Sequence, residues 1–292
     1  MSARVLGVAG VGLIGGSIAR DARAAGFTVI GFDRDPGTLA AAQSAGAIDD
    51  RAANLATLAA RCEMLVIALP VDATMAALRD VPELTLPGVV FDVASVKGPV
   101  VRAAAGVPAF VGSHPLAGRE IGGFGASTTG LFVDRPWAIV PSSSTAAEKA
   151  LTAFVGSLGA RPVSIAADDH DRIVALTSHV PQSVSVALAT LLASRLALDP
   201  RVADLCGPGV ASMLRLAHSP AGLWEPILAA NGAAVAAELR ALAMLLTDAA
   251  SGLETGKREV LMSYFTAGAP AIAAMERSDF AGRSLPQSVS SR

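Results

Sequence analysis

Apolar and polar positions follow two different rhythms along this chain. Up to about residue 165, short runs rich in Val, Ile and Phe recur between Ala-rich stretches at helical spacing, as expected of parallel strands joined by crossover helices. The pattern predicts strands over 5–9, 28–33, 64–69, 89–93, 109–112, 137–140 and 162–165, all in one doubly wound sheet, with helical segments such as 18–25 and 146–158 between most of them. Beyond 165 the strand signal stops. Helices are expected over 168–196, 211–217, 226–250, 255–268 and 270–277, punctuated by Asp199-Pro200, Gly207-Pro208-Gly209 and Ser219-Pro220.

The organisation that follows is an α/β domain over 1–166, an all-helical domain over 167–282 and a frayed tail over 283–292. The later helices are apolar on more than one face, which demands enclosure. Self-association, a homodimer through the helical domain, is the leading expectation, with tight Ala-rich packing inside one subunit as the alternative. The stretch 173–194 carries no charge and is long enough to span a bilayer, but it holds His179, Pro181, Gln182 and several hydroxyl residues. A buried helix of a soluble protein is the expected reading, with no membrane partner.

Composition narrows the classes. Hydrophobic residues make up 52% of the chain and charged ones 16%, which excludes extensive disorder. A net charge of −2 without a run of Lys or Arg offers nothing to neutralise a nucleic-acid backbone. Cys62 and Cys206 are far apart and form no CxxC pair, and no histidine has ligand spacing with a partner, so neither disulfide nor metal is expected. Met1 leads into an apolar segment without a basic leader, which we read as a cytoplasmic chain without a secretory signal.

Directly after the first strand comes Gly10-Val11-Gly12-Leu13-Ile14-Gly15, a G-x-G-x-x-G that opens a helix. Gly10 allows the turn, Gly12 lets pyrophosphate oxygens approach the backbone, Leu13 and Ile14 start the helix whose N-terminus faces the phosphates, and Gly15 permits close packing of helix on strand. Asp33 ends the second strand 18 residues beyond Gly15, where a carboxylate accepts from the adenosine ribose and repels a 2′-phosphate. The context is that of a Rossmann-type domain, and NAD is favoured over NADP, although the neighbouring Arg34 could pair with a 2′-phosphate.

In such a sheet the ligand lies beyond the carboxyl ends of the strands. There the chain places Leu69-Pro70, where a loop can pass along the cofactor, then Ser95 and Lys97, then Ser113-His114-Pro115. An imidazole titrating near neutrality can take a proton from a hydroxyl while hydride leaves the same carbon, so His114 is the expected base of a dehydrogenase. Ser95 is expected either in the site or as a helix cap. Lys97 is either a charge partner in the site or a solvated lysine on a first helical turn. His170, amid three aspartates, and His218 are expected to be solvated or capping.

These residues carry a resemblance. GVGLIGGS (10–17), DVASVKG (92–98), GSHPLAG (112–118), the Asp-Asp-His-Asp run at 168–171 and SHVPQ (178–182), followed by Arg215, Trp224 and Asn231, closely resemble the prephenate/arogenate dehydrogenase family, over about residues 4–265. The resemblance implies oxidative decarboxylation of prephenate to 4-hydroxyphenylpyruvate, or of arogenate to tyrosine, with reduction of NAD. It implies His114 and Ser95 at the ring hydroxyl, His179 and Arg215 positioning the substrate, an acidic residue of unsettled role at Glu120, and dimers of the helical domain. Without it, His179 could equally be a core histidine bonded to a carbonyl freed by Pro181. Leu116 and Arg119 depart from common family choices. A β-hydroxyacid dehydrogenase shares the layout but uses a helical-domain lysine in a glycine-rich context that this chain lacks; a non-catalytic NAD-responsive binding protein predicts affinity without turnover.

Overall fold

The computed structural model describes residues 4–80, 88–119 and 121–277. Glu120 and the tail over 283–292 lie outside the described residues. The chain divides into two compact units, Met1–Val235 and Ala236–Arg292.

The first unit begins as the hydropathy pattern predicts. Strands β1 (Val5–Ala9), β2 (Thr28–Phe32), β3 (Asp50–Arg51), β4 (Met64–Ile67), β5 (Val89–Asp92) and β6 (Phe110–Val111) form a parallel sheet in the order β3-β2-β1-β4-β5-β6. Helices α1 (Leu13–Ala24), α2 (Pro36–Ser44), α3 (Leu55–Ala59), α4 (Val71–Asp80) and α5 (Gly98–Ala103) make the crossovers. Their apolar faces form two cores: Leu6, Val8, Val66, Phe91 and Phe154 in one, and Leu58, Leu65, Ile67, Leu78 and Val90 in the other. Strands buried on both faces explain the near-continuous apolar runs that gave them away. The short β3 carries two exposed charged residues, so no apolar run announced it.

The single sheet expected from the sequence is corrected here. After Gly112 the chain leaves the parallel sheet, and β7 (Ser113–Pro115), β8 (Pro136–Ile139) and β9 (Arg161–Ser164) form a second, three-stranded sheet, with β7 antiparallel to β8 and β8 parallel to β9. Hydropathy alone does not assign these strands to a sheet, because β7 is only three residues long and β9 is mostly exposed. Helix α6 (Thr145–Ser157), capped by Ser144, covers both.

A long helical run follows: α7 (Ala167–Val174), a π-helical segment (Ala175–His179) and α8 (Val180–Leu196). It is the one helix among the described residues long and apolar enough to cross a membrane, and about a third of its most apolar stretch is buried. The expected full enclosure is therefore not supplied by this chain alone: Leu176, Val186 and Leu191 are exposed. Next come α9 (Arg201–Asp204), α10 (Pro208–Leu214), a 3₁₀ turn (Arg215–His218), α11 (Ala221–Ala230) and α12 (Gly232–Thr255). One helix was expected over 226–250; it is interrupted at Asn231, whose side chain is drawn into the polar cluster described below.

The second unit contains most of α12, α13 (Arg258–Ala267) and α14 (Ala269–Arg277). Met244, Leu245, Leu253, Met262, Phe265 and Ile272 are exposed on it, and a groove of about 440 Å³ runs past Leu245, Ala249, Val260 and Tyr264.

Candidate active site

At the C-terminal end of β1 three glycines serve three separate needs. Gly10 has a φ of +91°, and a Cβ there would lie 2.4 Å from the Ala68 carbonyl oxygen. Gly15 is so close to the turn that a Cβ would come within 1.9 Å of the Gly10 carbonyl oxygen, whereas a Cβ on Gly12 would meet nothing within 4 Å. Gly12 therefore borders open space, and α1 starts there with no side-chain cap. Uncapped first-turn N–H groups at the positive end of a helix suit a phosphate anion.

Asp33 stands beside this turn. Its Oδ2 accepts from the Val11 N–H (2.9 Å) and its Oδ1 from the Asp35 N–H (3.0 Å). Each oxygen retains a second lone pair for a ribose hydroxyl. Arg34 is exposed next to it. Leu69 and Pro70 follow β4, and their carbonyls accept from Thr74 Oγ1 (2.9 Å) and the Thr74 N–H (2.7 Å), which fixes the loop. The donor set, the bare helix start and the carboxylate together fit a dinucleotide.

A second group of residues occupies the same sheet edge. β5 ends on Asp92, whose carboxylate is fully buried and paired with the equally buried ammonium of Lys97. Lys97 Nζ also donates to the Ser113 carbonyl (2.6 Å), and Asp92 Oδ1 accepts from the Ser113 N–H (3.0 Å). Trp137 Nε1 donates to Ser113 Oγ (3.0 Å), which in turn donates to the Asp92 carbonyl (2.6 Å). The expectation of a solvated lysine is thus overturned: Lys97 is a buried cation that clamps the strand carrying His114. Burial pushes its pKa down, opposed by the Asp92 and Asp171 carboxylates.

His114, on β7, is partly buried. Its Nδ1 lies 2.9 Å from Nε2 of His170, and Nδ1 of His170 lies 2.8 Å from Asp171 Oδ1. Burial holds the His114 pKa well below the ordinary histidine range, and the neighbouring His170, Lys97 and His179 push it the same way. His170 is 2% exposed, so the solvated or capping role expected for it is corrected. Asp171 takes the capping work instead, accepting from the N–H groups of Lys97 (2.6 Å) and Gly98 (2.8 Å) at the start of α5. Ser95 therefore does not cap that helix; it sits partly exposed in the turn between β5 and α5.

His179 ends the π segment and is 1% exposed. Eight residues of regular α-helix would rotate it about 80° away from the face of Asp171; the wider π turn takes up that angle. Asn231 Nδ2 bridges the two, donating to the Asp171 carbonyl (2.8 Å) and to His179 Nδ1 (3.3 Å). The carbonyl freed by Pro181 is thus not the partner of this ring. Burial lowers the His179 pKa to about 4, with Asp171 opposing and His170 adding to the shift. Trp224 packs edge-on against the ring, 5.9 Å between centroids. Arg215 opens the 3₁₀ turn and is exposed; that turn packs on α8, where Gln182 Nε2 donates to the Leu216 carbonyl (2.9 Å).

The segment after His114 returns to α1, the helix that the glycine turn opens, which the sequence did not reveal. Ser17 Oγ accepts from the Thr128 N–H (3.1 Å), Arg20 Nε donates to Ser127 Oγ (3.1 Å) and lies over the Phe124 ring, and Asp21 Oδ1 accepts from the Gly130 N–H (2.8 Å). Gly16 admits this strap: a Cβ there would come 2.9 Å from Ser127 Cβ. Among the described residues no group of three or more His, Cys, Asp or Glu side chains converges to hold a metal ion.

The strand order, the glycine turn and the titratable groups gathered past the strand ends define a dinucleotide-binding α/β fold of the dehydrogenase class. The chain belongs to the prephenate dehydrogenase family: the profile described as "Prephenate dehydrogenase, nucleotide-binding domain" matches residues 18–163 and that described as "Prephenate dehydrogenase, dimerization domain" matches 166–267. It is 32% identical over 237 residues to a prephenate dehydrogenase of Bacillus subtilis, a match covering 77% of this chain and 63% of that protein, so the chain spans less than two thirds of that relative's length. The arogenate dehydrogenase of Synechocystis superposes with a TM-score of 0.77 at 26% identity, covering 92% of this chain and 99% of that one. A prephenate dehydrogenase of Aquifex aeolicus, solved with hydroxyphenyl propionate and NAD+, shares the fold with a TM-score of 0.84 at 24% identity, over 94% and 99% of the two chains.

Proposed function

We propose that this protein is an NAD-dependent dehydrogenase that oxidatively decarboxylates prephenate or arogenate, in the cytoplasm, as a homodimer formed through its helical domain. The reading assigns residues 1–166 to the dinucleotide and 167–282 to substrate contact and dimer formation. In this reading Gly10, Gly12, Leu13, Ile14 and Gly15 receive the pyrophosphate, Asp33 the adenosine ribose, and Leu69 and Pro70 pass along the cofactor. The bound dinucleotide supplies the hydride acceptor. His114 and Ser95 face the ring hydroxyl, while His179 and Arg215 orient the substrate and its carboxylates.

The chemistry asks little else of the chain. Loss of hydride from the carbon bearing the hydroxyl makes a carbonyl conjugated with the ring, so carbon dioxide departs and an aromatic phenol remains. The residues need to align substrate and cofactor, accept one proton and hold a dianion. The observation that carries the reading is His114 itself: a partly buried imidazole at the cofactor edge, tied through Nδ1 to His170, with burial keeping it unprotonated and able to act as a base. The test is the absorbance of reduced cofactor with purified protein, offering prephenate or arogenate with NAD or NADP in turn. Turnover with NAD and one of the two acids is expected; silence in all four mixtures overturns the assignment, and preference for NADP overturns the role of Asp33.

A further inference from the structure

The base does not stand alone, and the groups behind it have a fixed direction. Asp171 accepts from three donors: His170 Nδ1, the Lys97 N–H and the Gly98 N–H. Burial pushes its pKa up, but those hydrogen bonds outweigh it and hold the carboxyl below its ordinary range. An ionised carboxylate only accepts, so His170 carries its proton on Nδ1 and turns a lone pair on Nε2 toward His114. The proton between the rings then belongs to His114 Nδ1, and His114 Nε2 is left as a lone pair.

We propose that His170 and Asp171 form a proton relay behind His114, setting its tautomer and taking over the charge when it accepts the substrate proton. This rests on the function proposed above. As the O–H bond of the substrate breaks, its proton goes to His114 Nε2 and the Nδ1 proton of His114 moves 2.9 Å to His170 Nε2. His114 ends neutral with its proton on the other nitrogen, and His170 becomes an imidazolium held against the Asp171 carboxylate. The electron pair of the O–H bond forms the carbonyl as hydride leaves for the cofactor. After product departs, the two protons retrace the path and one is released through His114. No further reactant is needed.

The surroundings favour this division of labour. His114 lies near the Lys97 ammonium, and the carboxylate that ion-pairs with Lys97, Asp92, is engaged by that ammonium rather than by the His114 ring. Positive charge on His114 is therefore costly, whereas one ring further in it lies beside a carboxylate at 2.8 Å. Asp171 is in turn anchored by the backbone of α5 and by Asn231. His170 and Asp171 are positioning residues: neither needs to touch substrate.

Two measurements test the relay. The first reads the imidazole nitrogens of the intact protein by ¹H–¹⁵N correlation. Both His114 and His170 should appear as Nδ1–H tautomers, with the His114 signal displaced in His170→Gln. A ground-state His114 protonated on Nε2 overturns the relay whether or not turnover is seen. The second compares wild type with His170→Gln, whose amide oxygen can accept from His114 Nδ1 but cannot carry the proton on. Its kcat should fall on the order of tenfold to a hundredfold, less than loss of the base itself, with NAD affinity and KM within about twofold. The dependence of kcat on the deuterium fraction of the solvent should change from curved, two protons in flight, to linear. Equal kcat and the same curved dependence in the variant overturn the relay and leave the dehydrogenase reading standing. A wild type inert toward both acids removes that reading, while the tautomers still decide the relay.

Discussion

The glycine turn and the polar cluster around His114 share one sheet edge but are assembled over different distances in the sequence. In the turn, the bond from Val11 to Asp33 joins residues 22 apart, Gly15 packs on the Gly10 carbonyl, and the most distant neighbour is the Ala68 carbonyl against Gly10. In the cluster, Lys97 and Gly98 bind Asp171 across more than 70 residues, and Asn231 reaches the same residue across 60. The turn is thus built within the first four strands and the helix that follows β1. The cluster exists only once the whole first unit has folded, and its charges are compensated pairwise, so damage to one member exposes another.

Variants separate the two regions. The largest effect is expected for His114→Asn, which should lower kcat by about a hundred- to ten-thousandfold while NAD affinity, measured by fluorescence titration, stays within twofold; an unchanged kcat would remove the base. Lys97→Met leaves Asp92 as an unpaired buried charge, so urea unfolding should show a loss of about 3–5 kcal/mol, and the paired Asp92→Asn/Lys97→Met change should recover most of it. Gly15→Ala drives a methyl group into the Gly10 carbonyl, and about 1–3 kcal/mol of stability should go together with NAD affinity. Were affinity untouched, the turn would not be where the pyrophosphate rests. The smallest effect is on pH dependence. His179 has a folded pKa of about 4, below its unfolded value near 6.5. The unfolded chain therefore binds the proton first, and stability is unaffected above about pH 6.5 and declines as pH falls from there toward 4. Thermal unfolding of His179→Gln should show a shallower decline over that window.

The same contrast governs what could be read from sequence. The glycine motif, Asp33 and the strands that flank them follow rules of local spacing. His114 was singled out because it follows a strand. The burial of Lys97, left open between a charge partner and a solvated lysine, and that of His170 escaped the sequence for one reason: exposure depends on what packs above, and a lysine on a first helical turn or a histidine among aspartates is ordinarily solvated. Here the partners that bury them, Asp92 with Ser113 and Asp171 with His114, pair through the fold. A signal was present in Asp92 and Lys97, a buried-strand carboxylate five residues before a lysine, and in the Asp171 beside His170. The second sheet was hidden because antiparallel β7 is only three residues long.

The widened turn at Ala175–His179 has a reach beyond the site. It acts as a phase shift in an otherwise regular screw: the added arc that swings His179 in line with Asp171 turns every later position of α8 by the same amount. Which side chains of that helix look outward, Val186 and Leu191 among them, is therefore set by the geometry that aims the imidazole. Evolution cannot straighten this helix to adjust its outer surface without also turning His179 away from Asp171 and Asn231.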